Sequence, residues 1–260
     1  MKITDLTPEH EASFFLCLED WSGQAREAGN RRELWYSKMK GRGLRVKLAL
    51  DDNAIPGGMI QYLPIEHSPA LGEGLYFINC IWVHGYRQGR GNYQGKGMGE
   101  ALLKAAEEDA KTLSAKGLAA WGMVLPFWMK ASWYRKHGYK NADRDGIMGL
   151  VWKPFTNQAK PPKWIRKVKN PGKTPGVVTI TSFISGWCMA YNLACERAKR
   201  AAGQFGSRVV YNEVDTSERS NLMEWGISEG LFINGKQIRT GPPPSYEKIY
   251  EAIGKQVKKL

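Results

Sequence analysis

The spacing of hydrophobic and polar residues predicts strands and helices over the first part of the chain. Residues 44–50 alternate between apolar and polar types, which is typical of a half-buried strand. Residues 76–83 are nearly all apolar and predict a central strand. Leucine and alanine then recur at helical spacing, and Gly117 is predicted to end that helix. The predicted strands are 2–6, 44–50, 57–63, 76–83, 118–125 and 146–152, and the predicted helices include 31–40, 100–116 and 128–136. This order predicts an α+β fold with a mixed sheet.

A second set of elements follows from about residue 177. Residues 177–183 predict a strand, and residues 188–202 predict a helix with alanines along one side. Asn234 and Gly235 predict a hairpin turn of type I′, because both residue types accept positive φ. Ser245 is the predicted N-cap of a last helix. These elements predict a second, smaller α/β domain.

Residues 156–174 lie between the two regions and are rich in proline, glycine and asparagine, which break regular structure. We therefore predict domains at 1–155 and 175–260, joined by a connector at 156–174. The net charge is +13, and the connector holds six lysines and arginines but no acidic residue. A solvated basic connector explains this distribution and disfavours nucleic acid as a partner. A polyanion-binding module remains the alternative.

Composition narrows the class of protein further. No apolar stretch approaches the roughly 18 residues that span a bilayer, and the first residues lack the apolar core of a signal peptide. Four cysteines in 260 residues are too sparse for a disulfide scaffold. We expect a cytoplasmic protein with no membrane span and no metal site. The oligomeric state is left open.

The stretch Gln94-Gly95-Lys96-Gly97-Met98-Gly99 lies between a predicted strand and a predicted helix. Its glycines allow the backbone to approach a ligand closely, and the helix N-terminus favours an anion. A dinucleotide-binding turn needs a further glycine three residues after Gly97, and a P-loop ends in Gly-Lys-Ser/Thr. Neither pattern is present. The stretch is therefore predicted to bind a phosphate group of some other ligand.

The form Gln/Arg-x-x-Gly-x-Gly/Ala resembles motif A of the GNAT family of N-acetyltransferases, whose loop binds the pyrophosphate of acetyl-CoA. Residues 134–139, Tyr134-Arg135-Lys136-His137-Gly138-Tyr139, are similar to the Tyr-x-x-x-Gly-Phe signature of that family. The resemblance covers most of residues 1–155 and implies acetyl-CoA as co-substrate. The implied cofactor-binding residues are Ile81, Trp82, Val83, Gln94, Gly95, Lys96, Gly97, Met98 and Gly99, and Arg90 is a further candidate outside the family pattern.

The resemblance also implies direct attack of a small-molecule or peptide amine on the thioester. Tyr134 occupies the position of the acid that protonates the departing thiolate, a role that a phenol can perform. The base is less defined: Glu73 is the first candidate, with Asn79 and His84 behind it. Strict alternation along 76–83 places Asn79 on the same face as Ile81 and Val83.

Ten residues separate Val83 from Gln94, which is more than the family usually has. Arg87 and Arg90 in this enlarged loop are candidates to contact a CoA phosphate or to control access of the acceptor, and solvated loop arginines are the alternative.

In the second region, Trp187-Cys188-Met189-Ala190-Tyr191 looks like the Trp-Cys-x-x-Cys motif of thioredoxins, with Tyr191 in place of the second cysteine. Cys195 is about 10 Å along the same predicted helix, which is too far for a disulfide. The whole chain resembles acetyltransferases with a YoaP-like, thioredoxin-like C-terminal domain. The alternative function is therefore a thioredoxin-like protein that binds a thiol or another ligand through Cys188.

Overall fold

A computed structural model describes residues 1–125 and 129–260. The elements up to residue 154 are β1 (Lys2–Asp5), α1 (Pro8–Phe15), α2 (Gly23–Glu27), α3 (Arg31–Lys40), β2 (Arg45–Leu50), β3 (Pro56–Pro64), β4 (Ala70–Leu71), β5 (Leu75–Val83), α4 (Met98–Thr112), β6 (Gly117–Met123), α5 (Ala131–Lys136), β7 (Lys140–Asp145) and β8 (Met148–Pro154). Those that follow are β9 (Lys163–Trp164), β10 (Val178–Ile184), α6 (Met189–Gly203), β11 (Val209–Asp215), α7 (Arg219–Trp225), β12 (Gly230–Ile233), β13 (Lys236–Ile238) and α8 (Tyr246–Val257).

The chain divides into two compact units. The first unit comprises residues 1–21 and 36–166, and the second comprises residues 22–35 and 167–260. Residues 22–35 therefore join the second unit although they come early in the sequence, and the division falls inside α3. The other division follows Arg166, within the predicted connector. Trp164 of that connector is buried and pairs with Ala70.

The first unit is built on a seven-stranded sheet of order β1-β2-β3-β5-β6-β8-β7. The pair β5 and β6 is parallel, and the other neighbours are antiparallel. This arrangement confirms the predicted α+β fold with a mixed sheet. Helix α4 packs its apolar side, including Leu102, Leu103 and Ala106, into the main core cluster of this unit.

The parallel pair β5 and β6 is joined along only part of its length. The two strands are in register from Leu75 opposite Gly117 to Ile78 opposite Ala120. Beyond Ile78, β5 continues to pair with β3, while β6 continues to pair with β8. Over the last five residues of β5, the edge that faced β6 is therefore no longer paired with it.

A β-bulge at Asn79 changes the faces of β5. Tyr62 of β3 is opposite Ile78 and Gln61 is opposite Cys80, so Asn79 is the extra residue. After this residue Ile81 and Val83 pack against the same core cluster as Ile78. The strict alternation predicted for this strand is therefore wrong beyond the bulge, because one unpaired residue reverses the sides.

The prediction that Gly117 ends the helix before β6 is also wrong. Helix α4 ends at Thr112, and Ser114 takes the left-handed conformation with φ of +59°. Gly117 instead begins β6, where a Cβ atom would lie 2.7 Å from the carbonyl oxygen of Lys153. Gly117 therefore serves close strand packing and not helix termination.

The second unit has a four-stranded sheet of order β11-β10-β12-β13. Strands β10 and β11 are parallel, and β12 runs antiparallel to both β10 and β13. The hairpin turn is confirmed, because Asn234 and Gly235 both have positive φ between β12 and β13. The cap is confirmed as well: Ser245 Oγ accepts a hydrogen bond from Lys248 N at the start of α8. Strand β7 and helix α7 were not predicted.

Across the described ranges 1–125 and 129–260, no helix has both the length and the hydropathy that crossing a membrane requires.

Candidate active site

The glycine loop forms an open turn at the start of α4. Gly95 and Gly97 have φ of +76° and +80°, and a Cβ atom at either would meet nothing within 4 Å. The helix's first backbone hydrogen bond runs from Ala101 N to Gly97 O, so the N–H groups of the preceding residues have no acceptor within the helix. An open turn with unpaired N–H groups and the positive end of a helix dipole suits a phosphate.

The side chains around this turn are held by neighbouring residues. The Lys96 ammonium lies 5.0 Å from the centre of the Tyr93 ring. The Tyr93 hydroxyl donates to Asp51 Oδ2 at 2.7 Å, which fixes that ring. Gln94 donates its backbone N–H to Asn92 Oδ1 at 2.9 Å. Lys96 therefore places a positive charge beside the turn.

The remaining motif A residues connect the turn to β5. Met98 is buried, so its side chain belongs to the core and only its backbone faces the turn. A Cβ atom at Gly99 would lie 3.5 Å from Trp133 and 3.8 Å from Val83. The start of α4, the end of β5 and helix α5 therefore meet at one place.

Ile81, Trp82 and Val83 lie on the part of β5 that has left β6. Each pairs with β3 on one side: Ile81 with Ile60, Trp82 with Met59 and Val83 with Gly58. The other edge of this segment faces the opening between β5 and β6. Backbone groups along this edge are in position for an extended ligand arm.

Asn79 sits where that opening begins. Its carbonyl oxygen accepts from Trp121 Nε1 at 2.7 Å, which ties β5 to β6 at this point. The residue is only 3% exposed, and its side-chain Oδ1 has no hydrogen-bond partner among the described residues. A buried acceptor without a partner is costly and marks a place where a ligand can contribute a donor.

Tyr134 lies on α5 and is 2% exposed. Its hydroxyl likewise has no partner within residues 1–125 and 129–260. Burial, and then the nearby Cys80 thiol, raise the pKa of Tyr134. The phenol is therefore protonated at neutral pH and can donate a proton.

Glu73 lies at the other end of β5. It is exposed, and its carboxylate contacts Lys116 Nζ at 3.4 Å. Strand β5 has nine residues, so at about 3.3 Å per residue its two ends lie roughly 26 Å apart. This location separates Glu73 from the glycine turn, which follows the opposite end of the strand.

His84 is fully buried, and both of its ring nitrogens are engaged. Nε2 accepts from Trp21 Nε1 at 3.0 Å. An indole nitrogen only donates, so Nδ1 carries the imidazole proton and donates to Gly91 O at 2.7 Å. The ring braces the enlarged loop and has no nitrogen left to take a proton from a substrate.

Arg90, predicted to contact the cofactor, is held within the protein. Nη1 donates to Pro56 O at 2.7 Å, and Nη2 contacts Ser13 Oγ and the Asp20 carboxylate. Its side chain is 8% exposed, and Nε has no partner in the described part of the chain. Arg87, by contrast, is exposed.

Arg90 lines two cavities. The first has a volume of about 480 Å³ and is lined by Ser13, Asp20, Trp21, Ile55, Pro56, Gly89 and Arg90. The second has a volume of about 370 Å³ and lies beside the glycine turn, with Lys96, Asn92 and Asp51 in its wall. Sequence patterns did not indicate Ser13, Asp20 or Trp21 as site residues. They are about 70 residues from Arg90, and no local pattern links them to it.

In the second unit, Cys188 is the N-cap residue of α6 and is half-buried. Ser185 Oγ donates to Glu229 Oε1 at 3.0 Å at the same end of the sheet. Burial raises the pKa of Glu229 to about 8, and Ser185 opposes this rise. Burial also raises the pKa of Cys195 to about 12, so that thiol is unreactive at neutral pH.

Several cations of the predicted connector have partners. Arg166 contacts Asp143 at 2.6 Å in the first unit. Lys169 contacts Glu224 at 2.5 Å in the second unit, and its ammonium lies 4.2 Å from the centre of the Trp225 ring. These pairs reduce the positive charge that is left for a polyanion. The polyanion-binding alternative stays a prediction.

No group of three or more His, Cys, Asp or Glu side chains within residues 1–125 and 129–260 is arranged to hold a metal ion. Trp128, the first residue of the predicted helix 128–136, lies outside the described residues, as do Pro126 and Phe127 before it.

No protein-family model matches this chain, and no curated protein matches its sequence. Solved structures similar to it include an acetyltransferase of the GNAT family from Desulfovibrio desulfuricans, at 17% identity and a TM-score of 0.45, over 60% of this chain and 99% of that one. A GNAT family N-acetyltransferase (YhbS) from Escherichia coli in complex with CoA is 13% identical, with a TM-score of 0.44, over 63% and 88%. A ribosomal-protein-alanine N-acetyltransferase from Brucella melitensis is 16% identical, with a TM-score of 0.45, over 60% and 100%.

Proposed function

We propose that the first unit is an acetyl-CoA-dependent N-acetyltransferase of the GNAT type, which transfers an acetyl group directly to an amine. The observation that carries this proposal is the arrangement at the end of β5. The open glycine turn begins α4 at this end, and β5 has parted from β6 beside it. A phosphate-binding turn next to an open strand edge suits a ligand with a diphosphate and an extended amide arm.

Binding is divided between the turn and the strand. The N–H groups from Gly95 to Gly99 and the dipole of α4 hold the diphosphate of the co-substrate, and Lys96 adds a positive charge. The free edge of residues 81–83 offers backbone groups to the amides of the pantetheine arm. This arrangement leads the thioester towards Tyr134.

In the transfer step, the amine nitrogen attacks the thioester carbonyl, a C–N bond forms and the C–S bond breaks. Tyr134 donates its phenolic proton to the departing sulfur, and the proton that the attacking nitrogen loses as the amide forms restores the phenol through water. The Tyr134 hydroxyl is buried and has no partner in the described part of the chain, which supports this role. The departing sulfur would be the acceptor for its proton.

Of the three candidate bases, Asn79 has the location that supports a role in the reaction. Its unpaired Oδ1 accepts an N–H of the incoming amine and so orients the lone pair. An amide does not take up a proton at neutral pH, so the proton of the ammonium group leaves to water. The exposed position of Glu73 and the engaged ring of His84 argue against a role for either residue in this step.

The test uses CoA binding measured by isothermal titration calorimetry on the full chain. Gly97→Ala should weaken binding at least tenfold, because a side chain in the turn strains the left-handed backbone and narrows the cradle. Gly176→Ala is the matched control: its φ is +76°, its Cβ also meets nothing within 4 Å, and it lies in the second unit. Both variants carry a similar backbone strain of about 1 kcal/mol.

CoA affinity should be unchanged in Gly176→Ala. The proposal is wrong if the wild-type protein binds neither CoA nor acetyl-CoA, or if both variants bind as tightly as the wild type.

For the second unit, we keep a thioredoxin-like thiol function as the second candidate. The strand order, the position of Cys188 as N-cap of α6, the next helix after β10, and the carboxyl of Glu229 near this helix support it. A cytoplasmic location and the domain ranges 1–155 and 175–260 likewise stay proposals.

A further inference from the structure

Four aromatic rings form a cluster between β5 and the enlarged loop. The Tyr86 ring centre lies 5.8 Å from that of Trp21, 6.3 Å from that of Trp82 and 5.6 Å from that of His84. Trp21 and Tyr86 are 41% and 44% exposed, so a ligand can reach their rings. Trp82 lies on the part of β5 that is not paired with β6, so the cluster links this strand segment to the exposed rings of Trp21 and Tyr86.

Two carboxylates lie beside this cluster. Asp20 is paired with Arg90, so the two charges cancel. Glu19 makes no ion pair with any residue in ranges 1–125 and 129–260, and burial raises its pKa. Burial, followed by the charge of Glu19, also raises the pKa of Tyr86, which indicates that the carboxylate lies near that ring. Glu19 is thus a half-buried carboxyl with no cation paired to it in the described part of the chain.

The cavity of about 480 Å³ adjoins the same residues. Asp20 and Trp21 form part of its wall, together with the buried side chain of Arg90. Aromatic faces with an unpaired carboxylate attract an ammonium group. The protein as a whole carries +13, so this local preference for a cation runs against its net charge.

We infer that the acceptor is an amine with a second cationic group, a diamine or a polyamine-like molecule, whose second ammonium binds among Glu19, Trp21 and Tyr86. This inference rests on the proposed acetyltransferase function. The first amine is acetylated beside β5, while the second ammonium pairs with Glu19 and contacts the aromatic faces. The carbon chain between the two amines spans the cluster and so positions the reacting nitrogen at the open edge of the strand.

The experiment compares cadaverine with n-pentylamine, which has the same carbon chain but one amine. The kcat/KM of each is measured with acetyl-CoA by release of the CoA thiol. Wild-type protein should prefer cadaverine at least tenfold. Glu19→Gln should reduce this preference at least tenfold, because it removes the charge and keeps the shape of the side chain. Glu9→Gln is the matched control, since Glu9 is an exposed carboxylate on α1 and should leave the preference unchanged.

Calorimetry separates the possible failures. If CoA does not bind, the acetyltransferase proposal fails. If CoA binds and the two amines react equally well, or the preference survives in Glu19→Gln, the diamine inference alone is wrong. If neither amine is acetylated, cadaverine is titrated into the CoA-bound protein. Absence of binding, or equal binding by wild type and Glu19→Gln, also overturns the inference.

Discussion

At the scale of single residues, the proposed site depends on buried polar atoms that lack partners in the described chain. Two such atoms are Asn79 Oδ1, where β5 begins to part from β6, and the hydroxyl of Tyr134 on α5. Burying a polar group unpaired costs about 1–3 kcal/mol, so two together near an open strand edge favour a functional over a structural explanation. His84 shows the reverse case, in which a polar residue is buried with all its hydrogen bonds made.

Tyr134→Phe separates these explanations. We expect kcat to fall by about 100-fold or more, as general acid catalysis predicts, with a smaller change in the KM for acetyl-CoA. The free energy of unfolding should not fall, because the variant removes a hydroxyl that has no partner among residues 1–125 and 129–260. Since burial raises the pKa of Tyr134, its ionisation should not reduce the rate between about pH 8 and pH 10.

Steady-state kinetics and urea unfolding provide these measurements. Tyr139→Phe is the control, because the two rings lie 5.3 Å apart and the same hydroxyl is removed. An unchanged kcat in Tyr134→Phe excludes the acid role.

At the scale of elements, the periodicity and capping signals of the sequence located strands and helices in both units. The central strand was predicted at 76–83 and spans Leu75–Val83, and the last helix begins after the predicted cap Ser245. Local periodicity did not reveal the bulge at Asn79. A bulge depends on how β5 pairs with β3. The hydrophobic pattern of either strand alone does not contain this pairing.

Gly117 is a second residue whose role depends on strand packing and not on the local pattern, and a substitution can test that role. Gly117→Ala should lower the free energy of unfolding by about 1–3 kcal/mol, because its Cβ would lie 2.7 Å from Lys153 O and 3.2 Å from Leu75. Urea unfolding measures the change. Gly41→Ala, where a Cβ meets nothing within 4 Å, should have little effect. Equal stability of the two variants would contradict the role assigned to Gly117 in strand packing.

At the scale of the whole molecule, the early segment 22–35 belongs to the second unit. Arg31 of this segment contacts Glu196 on α6 at 2.5 Å and Glu213 on β11 at 2.6 Å. Glu27 pairs with Arg197 at 2.7 Å. The second unit is thus completed by residues that a division near residue 155 assigns to the other region.

Arg31→Met should destabilise the second unit by about 2 kcal/mol, because it leaves two partly buried carboxylates without their cation. Hydrogen exchange followed by mass spectrometry should show faster exchange in α6 and β11, with β2 and β3 unchanged. Arg208→Met removes the same charge from an exposed position of this unit and should have no such effect. Unchanged exchange in α6 would show that the segment contributes little to this unit.

The sequence by itself determined the mixed α+β fold, the glycine turn before α4 and the hairpin and cap of the second unit. These features follow from hydrophobic periodicity and from the backbone preferences of glycine, asparagine and serine, which act between near neighbours. Only the tertiary structure decided which site candidates lie together. The parting of β5 from β6, the engaged ring of His84, the distant position of Glu73 and the pairing of Arg90 with Asp20 all depend on contacts between residues far apart in the chain.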